Sequence, residues 1–250
     1  MNAIRLTVIA SCLAIAAAAF AEEGHHWTYG GKTGPSRWSA LEHEYEACGV
    51  GKTQSPIDIR TSKTHAADLP AIAFDYKPSP LRIIDNGHTV QVDYEPGSFI
   101  SVADARYELV QFHFHHPSEE KVDGHGFPMV AHLVHKDAAG RLAVVAVPMV
   151  KGKDNPLVAA LWKHVPATKG QEASVDSISI DASDLLPAKR GYYTFEGSLT
   201  TPPCSEGVRW FVLKSPATLS AGEIAAFAKL YPMNARPVQP LHGREVASTR

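Results

Sequence analysis

The segment Gln111-Phe112-His113-Phe114-His115 constrains this chain more than any other stretch of it. Side chains alternate along a strand, so Gln111, His113 and His115 share one face while Phe112 and Phe114 take the other. Two imidazoles two residues apart on one face can converge on one metal ion. Val130-Ala131-His132-Leu133-Val134-His135 reads as a second strand, joined to the first through the turn-like Asp123-Gly124-His125-Gly126. If it lies antiparallel beside the first, His132 stands next to the pair. Three imidazole nitrogens and one open position form the donor set of a catalytic zinc, whereas structural zinc sites take four protein ligands, often cysteine. The competing reading is a row of solvent-facing histidines, and the apolar strand context favours the metal.

The rest of the chain supports a β-rich domain. Ile83-Ile84 precedes Asn86-Gly87 and Thr89 to Tyr94 follows it, a strand, turn, strand pattern. Tyr107 to His115, Phe127 to His135, Leu142 to Val150, Tyr192 to Phe195 and Val208 to Leu213 also read as strands. Asn155 to His164 and Ser220 to Leu230 are the helix candidates, with Ser220 as a cap. Glu22 to about Pro70 reads as an irregular wrap with short helical turns. Strands at short spacing with few helices predict a mainly β, single-domain fold over residues 22–250. With 250 residues, 44% of them hydrophobic, the chain is neither disordered nor collagen-like. Its 24 basic and 26 acidic residues give a formal charge of −2, so nothing draws it to nucleic acid or an anionic membrane.

Residues 1–21 read as a signal peptide: Arg5, the apolar run Leu6 to Phe20, and Ala19-Phe20-Ala21 as cleavage site. The run is short for a membrane span and no comparable one recurs, so the mature chain is expected to be exported, periplasmic or secreted. Ile9-Ala10-Ser11-Cys12 offers the alternative of a lipoprotein attached through Cys12. Once the signal is removed, Cys48 and Cys204 remain as an even pair, free to join in an oxidising compartment or to stay as two thiols. A bridge would be worth at most about 5 kcal/mol in the chain-entropy treatment.

His113, His115 and Glu119 also fit the first metal motif of cupin barrels. The second is broken, with Val130 where it needs glycine, and Tyr107 stands where the first opens on glycine. A fuller likeness runs from His25-His26-Trp27-Thr28-Tyr29-Gly30 through Gln54 to Ile59, Asn86-Gly87-His88, Gln111 to His115 and Ala131 to His135. It continues through Gly197 to Cys204 and Asn234 to Leu241. In these motifs and their order the chain resembles an α-class carbonic anhydrase of the exported bacterial kind.

That resemblance implies a large twisted, mostly antiparallel sheet with a few short peripheral helices. It also implies zinc-dependent, reversible hydration of carbon dioxide to bicarbonate and a proton, by a monomer or homodimer. It makes His113, His115 and His132 the zinc ligands. Thr200 becomes the hydroxyl that accepts from zinc-bound hydroxide, and Glu119 the carboxylate that holds the Thr200 proton. Thr201 lies beside the substrate, and Val134, Val144, Leu199, Val208 and Trp210 form the apolar wall that receives carbon dioxide. Gln111 would accept from His113, and the carbonyl near Asn234 from His115. His88 aligns with the family's proton shuttle, and an ordinary imidazole titrates near 6.5.

Two departures from the family pattern bear on the third ligand. Related enzymes commonly place glutamate two residues before it, where this chain has Val130, and histidine where this chain has Glu120. The expectation is a compensating exchange in which Glu120 turns inward and accepts from His132; otherwise Glu120 points to solvent and the metal is held more weakly. A zinc-binding protein of the same fold with lost or reduced catalysis is the competing class.

Overall fold

A computed structural model describes residues 26–250; the expected signal segment, residues 1–21, lies outside them. The chain is organised by a sheet of thirteen strands. Its main path runs Glu172–Ile180, Ser79–Asp85, Val90–Asp93, Ala105–His115, Met129–Lys136, Leu142–Lys151, Glu206–Leu213, Tyr192–Ser198, Ala247–Thr249 and His65–Ala67. Most neighbours are antiparallel, but Leu142–Lys151 runs parallel to Glu206–Leu213, and Ala247–Thr249 parallel to His65–Ala67.

The middle strands are buried on both faces. Along Leu142–Lys151, Ala143, Val145 and Val147 enter one core with Phe112, Phe114, Leu133 and Phe211. Val144 and Ala146 enter the other with Ile57, Val130, Trp210 and Val212. Strands covered on both sides read as continuous apolar runs, which is why this segment shows almost no alternation of polarity. Truncating a ring such as Phe112, wholly buried, to alanine would cost about 3–5 kcal/mol.

Both expected helices form, at Pro156–Trp162 and Ala221–Leu230. Asn155 caps the first by accepting from the Leu157 and Val158 amides. Ser220 and Glu223 make a reciprocal capping box on the second. Glu223 also accepts from the Asn155 amide at 3.0 Å, so one carboxylate ties the starts of both helices together.

The wrap before residue 70 contains short helical turns at Gly31–Thr33, Trp38–Ala40, His43–Tyr45 and Ala47–Val50. Cys48 is disulfide-bonded to Cys204, which staples this wrap to the loop that follows Tyr192–Ser198. The edge strand Glu172–Ile180 escaped the sequence reading because serine, aspartate and glutamate interrupt its apolar residues. Its one-sided pairing with Ser79–Asp85 leaves most of those polar groups in water. The open sheet does not have the closed barrel a cupin requires.

Candidate metal centre

His132 pairs directly with His113 across the antiparallel strands, with Leu133 opposite Phe112. This register sets all three histidines on one face, each offering a ring nitrogen within 4.8 Å of the others. Each ring also turns one nitrogen outward to an acceptor. His113 Nδ1 donates to Gln111 Oε1 at 2.8 Å, and His115 Nδ1 to the Asn234 carbonyl at 2.7 Å. His132 Nε2 lies 3.0 Å from Glu120 Oε1 and 3.2 Å from Oε2. The inward nitrogens are therefore Nε2 of His113, Nε2 of His115 and Nδ1 of His132.

These residues fit a metal. His115 Nε2 is buried and has no hydrogen-bond partner, a costly state for a polar atom unless something else binds it. Three neutral imidazoles suit zinc, and their outer acceptors fix which nitrogen carries the proton. Burial and the neighbouring His132 push His113 down to about 3 and His115 well below its ordinary value. Burial acts the same way on His132. There the Glu120 carboxylate, through charge and hydrogen bond, and Glu119 outweigh it and raise the pKa.

Glu119 is buried beside the cluster. Its Oε1 accepts the Arg236 backbone N–H at 2.8 Å, and its Oε2 lies 3.6 Å from His115 Nε2 and 3.9 Å from His132 Nδ1. Burial raises this carboxyl to about 7, opposed by His132, the Thr200 hydroxyl and the Arg236 amide, while the charge of Glu120 adds to the rise. Oε2 is buried and makes no well-formed hydrogen bond, so this oxygen can still accept one.

Thr200 is held in place by what surrounds Ser198. The Ser55 amide donates to Ser198 Oγ, the Ser198 amide to Ser55 Oγ, and Trp210 Nε1 to the Ser198 carbonyl. Gly197 permits this approach, because a Cβ there would stand 2.2 Å from Ser55 Oγ and 2.7 Å from the Trp210 ring. Val144, Val208 and Trp210 are buried in one cluster, with Val134 and Leu199 packed against it, and the Trp210 ring centroid is 5.0 Å from that of His132. An apolar flank thus adjoins the histidines. Thr201 is partly buried in the same loop, its carbonyl accepting the Cys204 amide.

His88 sits in a turn closed by Asn86, whose Oδ1 accepts from the His88 and Thr89 amides, with Gly87 in the left-handed region at φ 86°. Its ring lies flat on Trp27, centroids 3.6 Å apart, and stacks on His26 at 4.9 Å. Burial, with the nearby charges of His26 and Lys169, lowers it to about 4. Asn234 joins this turn to the histidines: its Nδ2 donates to the carbonyls of His88 and Phe114, and its Oδ1 accepts the His116 amide.

Sequence reasoning assigned no role to Arg236, Gln54 or Trp27, although all three lie in the motifs quoted above. Arg236 is buried; it donates to Gln54 Oε1, Ser55 O and Cys48 O, and Gln54 Nε2 donates to Cys204 O. Its signal in sequence is a lone arginine between Ala235 and Pro237, which does not announce burial.

An open β-sheet carries three convergent imidazoles that could hold a metal ion, with an adjoining buried carboxylate and an apolar flank. The family model for eukaryotic-type carbonic anhydrase matches residues 33–250, and the chain belongs to that family. A carbonic anhydrase of Nostoc sp. is 43% identical over 224 residues, covering 88% of this chain and 85% of its own length. One of Neisseria gonorrhoeae is 43% identical over 248 residues, covering 97% of this chain and 96% of its own length. The α-carbonic anhydrase of Thermovibrio ammonificans, solved with the inhibitor sulfanilamide, superposes with a TM-score of 0.85 at 42% identity, covering 90% of this chain and 99% of that one.

Proposed function

We propose that this chain hydrates carbon dioxide reversibly to bicarbonate and a proton, using zinc held by His113 Nε2, His115 Nε2 and His132 Nδ1. The observation that carries the reading is the set of three inward nitrogens, each fixed by an outer acceptor, with His115 Nε2 buried and unpartnered. Zinc in such a site supplies a nucleophile at neutral pH by lowering the pKa of water in its open position to about 7, a value that belongs to carbonic anhydrases as a class.

The protein's own groups do the rest. Glu119, anchored by the Arg236 amide, accepts the Thr200 hydroxyl's hydrogen bond and leaves the Thr200 lone pairs to accept from the nucleophile and orient it. Carbon dioxide is apolar and needs a dry surface beside the nucleophile, which Val134, Val144, Leu199, Val208 and Trp210 supply. Thr201 borders the same space. His88, in the turn closed by Asn86 and stacked on Trp27, is the group that passes the proton to solvent. Export of the chain is supported by the Cys48–Cys204 bond, which suits an oxidising compartment. Among the described residues no helix is long and apolar enough to cross a membrane.

Stopped-flow carbon dioxide hydration tests the reading. The zinc-replete protein is expected to be active, the chelated protein inactive, and readdition of zinc to restore activity. His113→Ala should lose both zinc and turnover. A metal-replete protein with no activity above buffer would overturn the catalytic reading.

A further inference from the structure

The outer partners of the three histidines differ in kind and in origin. Gln111 reaches His113 from the same strand, two residues away, and the Asn234 partner is a backbone carbonyl. Only His132 has a charged side chain as its outer partner, and Glu120 is not on its strand. Position 130, which shares a strand face with His132, is a wholly buried valine packed with Ile57, Ile59 and Trp210 and cannot accept a proton.

Glu120 arrives on the segment between the two histidine strands. Its carboxylate is buried, 3.0 Å from His132 Nε2, while Glu119 Oε2 lies 3.9 Å from Nδ1, so neighbouring carboxylates flank the two nitrogens of one ring. Ser118 holds the segment in shape. Its hydroxyl donates to the Glu120 carbonyl at 2.9 Å and accepts the Phe127 amide at 2.7 Å, and its own amide donates to the Phe127 carbonyl at 3.0 Å. Through Ser118, the position of the Glu120 backbone depends on the 118–127 segment closing on itself.

We infer that Glu120 is a positioning residue that controls metal retention through His132, and that metal binding and the ordering of segment 118–127 are therefore coupled. The inference rests on the reading of His132 Nδ1 as a ligand. A carboxylate on Nε2–H holds the tautomer with its lone pair inward and makes the ring a better donor to the metal. Because the acceptor is delivered by a separate segment, order in that segment favours the metal. By reciprocity the metal favours order in the segment by the same factor.

The test measures zinc release from the holoprotein into a chelator for the parent, Glu120→Gln, Ser118→Ala and His132→Ala. Amide exchange of residues 118–127 is followed with and without zinc. Glu120→Gln is expected to release zinc about 10- to 100-fold faster, the usual effect of losing such a partner. It should also shift the visible ligand-field bands of the cobalt-substituted protein, which a purely structural role would leave in place. Ser118→Ala, which touches no ligand, should release zinc at an intermediate rate. In the parent, zinc should slow exchange in 118–127, and less so in Glu120→Gln. Release within twofold of the parent for both variants, while His132→Ala loses the metal, would overturn the inference alone. Exchange in 118–127 indifferent to zinc would remove the coupling even if a variant failed to fold. Retention of zinc by His132→Ala would instead overturn the ligand reading beneath it.

Discussion

His88 lies against Trp27 with the two rings 8° from parallel and their centroids 3.6 Å apart, and burial, with the nearby charges of His26 and Lys169, lowers its pKa to about 4. A base at about 4 is a weaker proton acceptor than an ordinary imidazole near 6.5. Opening the stack should therefore help proton export.

Trp27→Ala is expected to raise the His88 pKa from about 4 toward the ordinary 6.5, read from the ring proton shifts in an NMR titration. Turnover in weak buffer should rise with it, and added imidazole should then accelerate the variant less than the parent. A pKa that stays near 4 would assign the shift to His26 and Lys169 instead.

His135 gives a pH-dependent stability that does not involve the metal site. It is wholly buried, its Nε2 bonded to the Tyr76 hydroxyl at 2.8 Å and its Nδ1 without a partner, and burial lowers it to about 3. Above pH 6.5 this ring is neutral in both folded and unfolded chains and contributes no pH dependence. As pH falls from 6.5 toward 3 the unfolded chain binds the proton first, so stability drains away, by about 2 kcal/mol at pH 5 from this residue. His135→Gln should flatten the dependence by that amount in urea unfolding of the zinc-free protein at pH 7 and pH 5. An unchanged slope would place the acid sensitivity elsewhere.

Arg236 should couple energetically to the disulfide. Its guanidinium holds the Cys48 carbonyl directly and, through Gln54, the Cys204 carbonyl, while its backbone N–H anchors Glu119. Arg236→Met leaves three buried oxygens (Gln54 Oε1, Ser55 O and Cys48 O) without this donor and is expected to cost about 3–5 kcal/mol in urea unfolding. Removing the disulfide alone should cost up to about 5 kcal/mol. Combined, the two losses should sum to less than their total, because both loosen the same contacts. Strict additivity would show the network and the bond to be independent.

The sheet and the three histidines were legible in the chain because strand geometry is local. Alternation over Gln111 to His115 puts His113 and His115 on one face whatever surrounds them. The turn at Asp123-Gly124 then makes an antiparallel return the economical connection to His132. Ser220 and Glu223 mark a helix start by a contact three residues long. The polar edge strand Glu172–Ile180 was hidden because a strand with one paired edge carries no continuous apolar run.

Everything that depends on distant residues meeting was decided by the tertiary structure. Nothing local to His88 says that Trp27, sixty-one positions earlier, stacks on its ring, or that burial in the folded chain lowers its pKa. Nor does the isolated Arg236 indicate that it bridges the wrap, the disulfide and Glu119. Strand alternation places Val130 on the face of His132, but only the fold of 118–127 brings Glu120 to that ring's outer nitrogen. Faces and turns follow from the stereochemistry of neighbouring residues. Acidities and the partners of buried atoms follow from which water is excluded and which charges are left close together, and both require the closed three-dimensional chain.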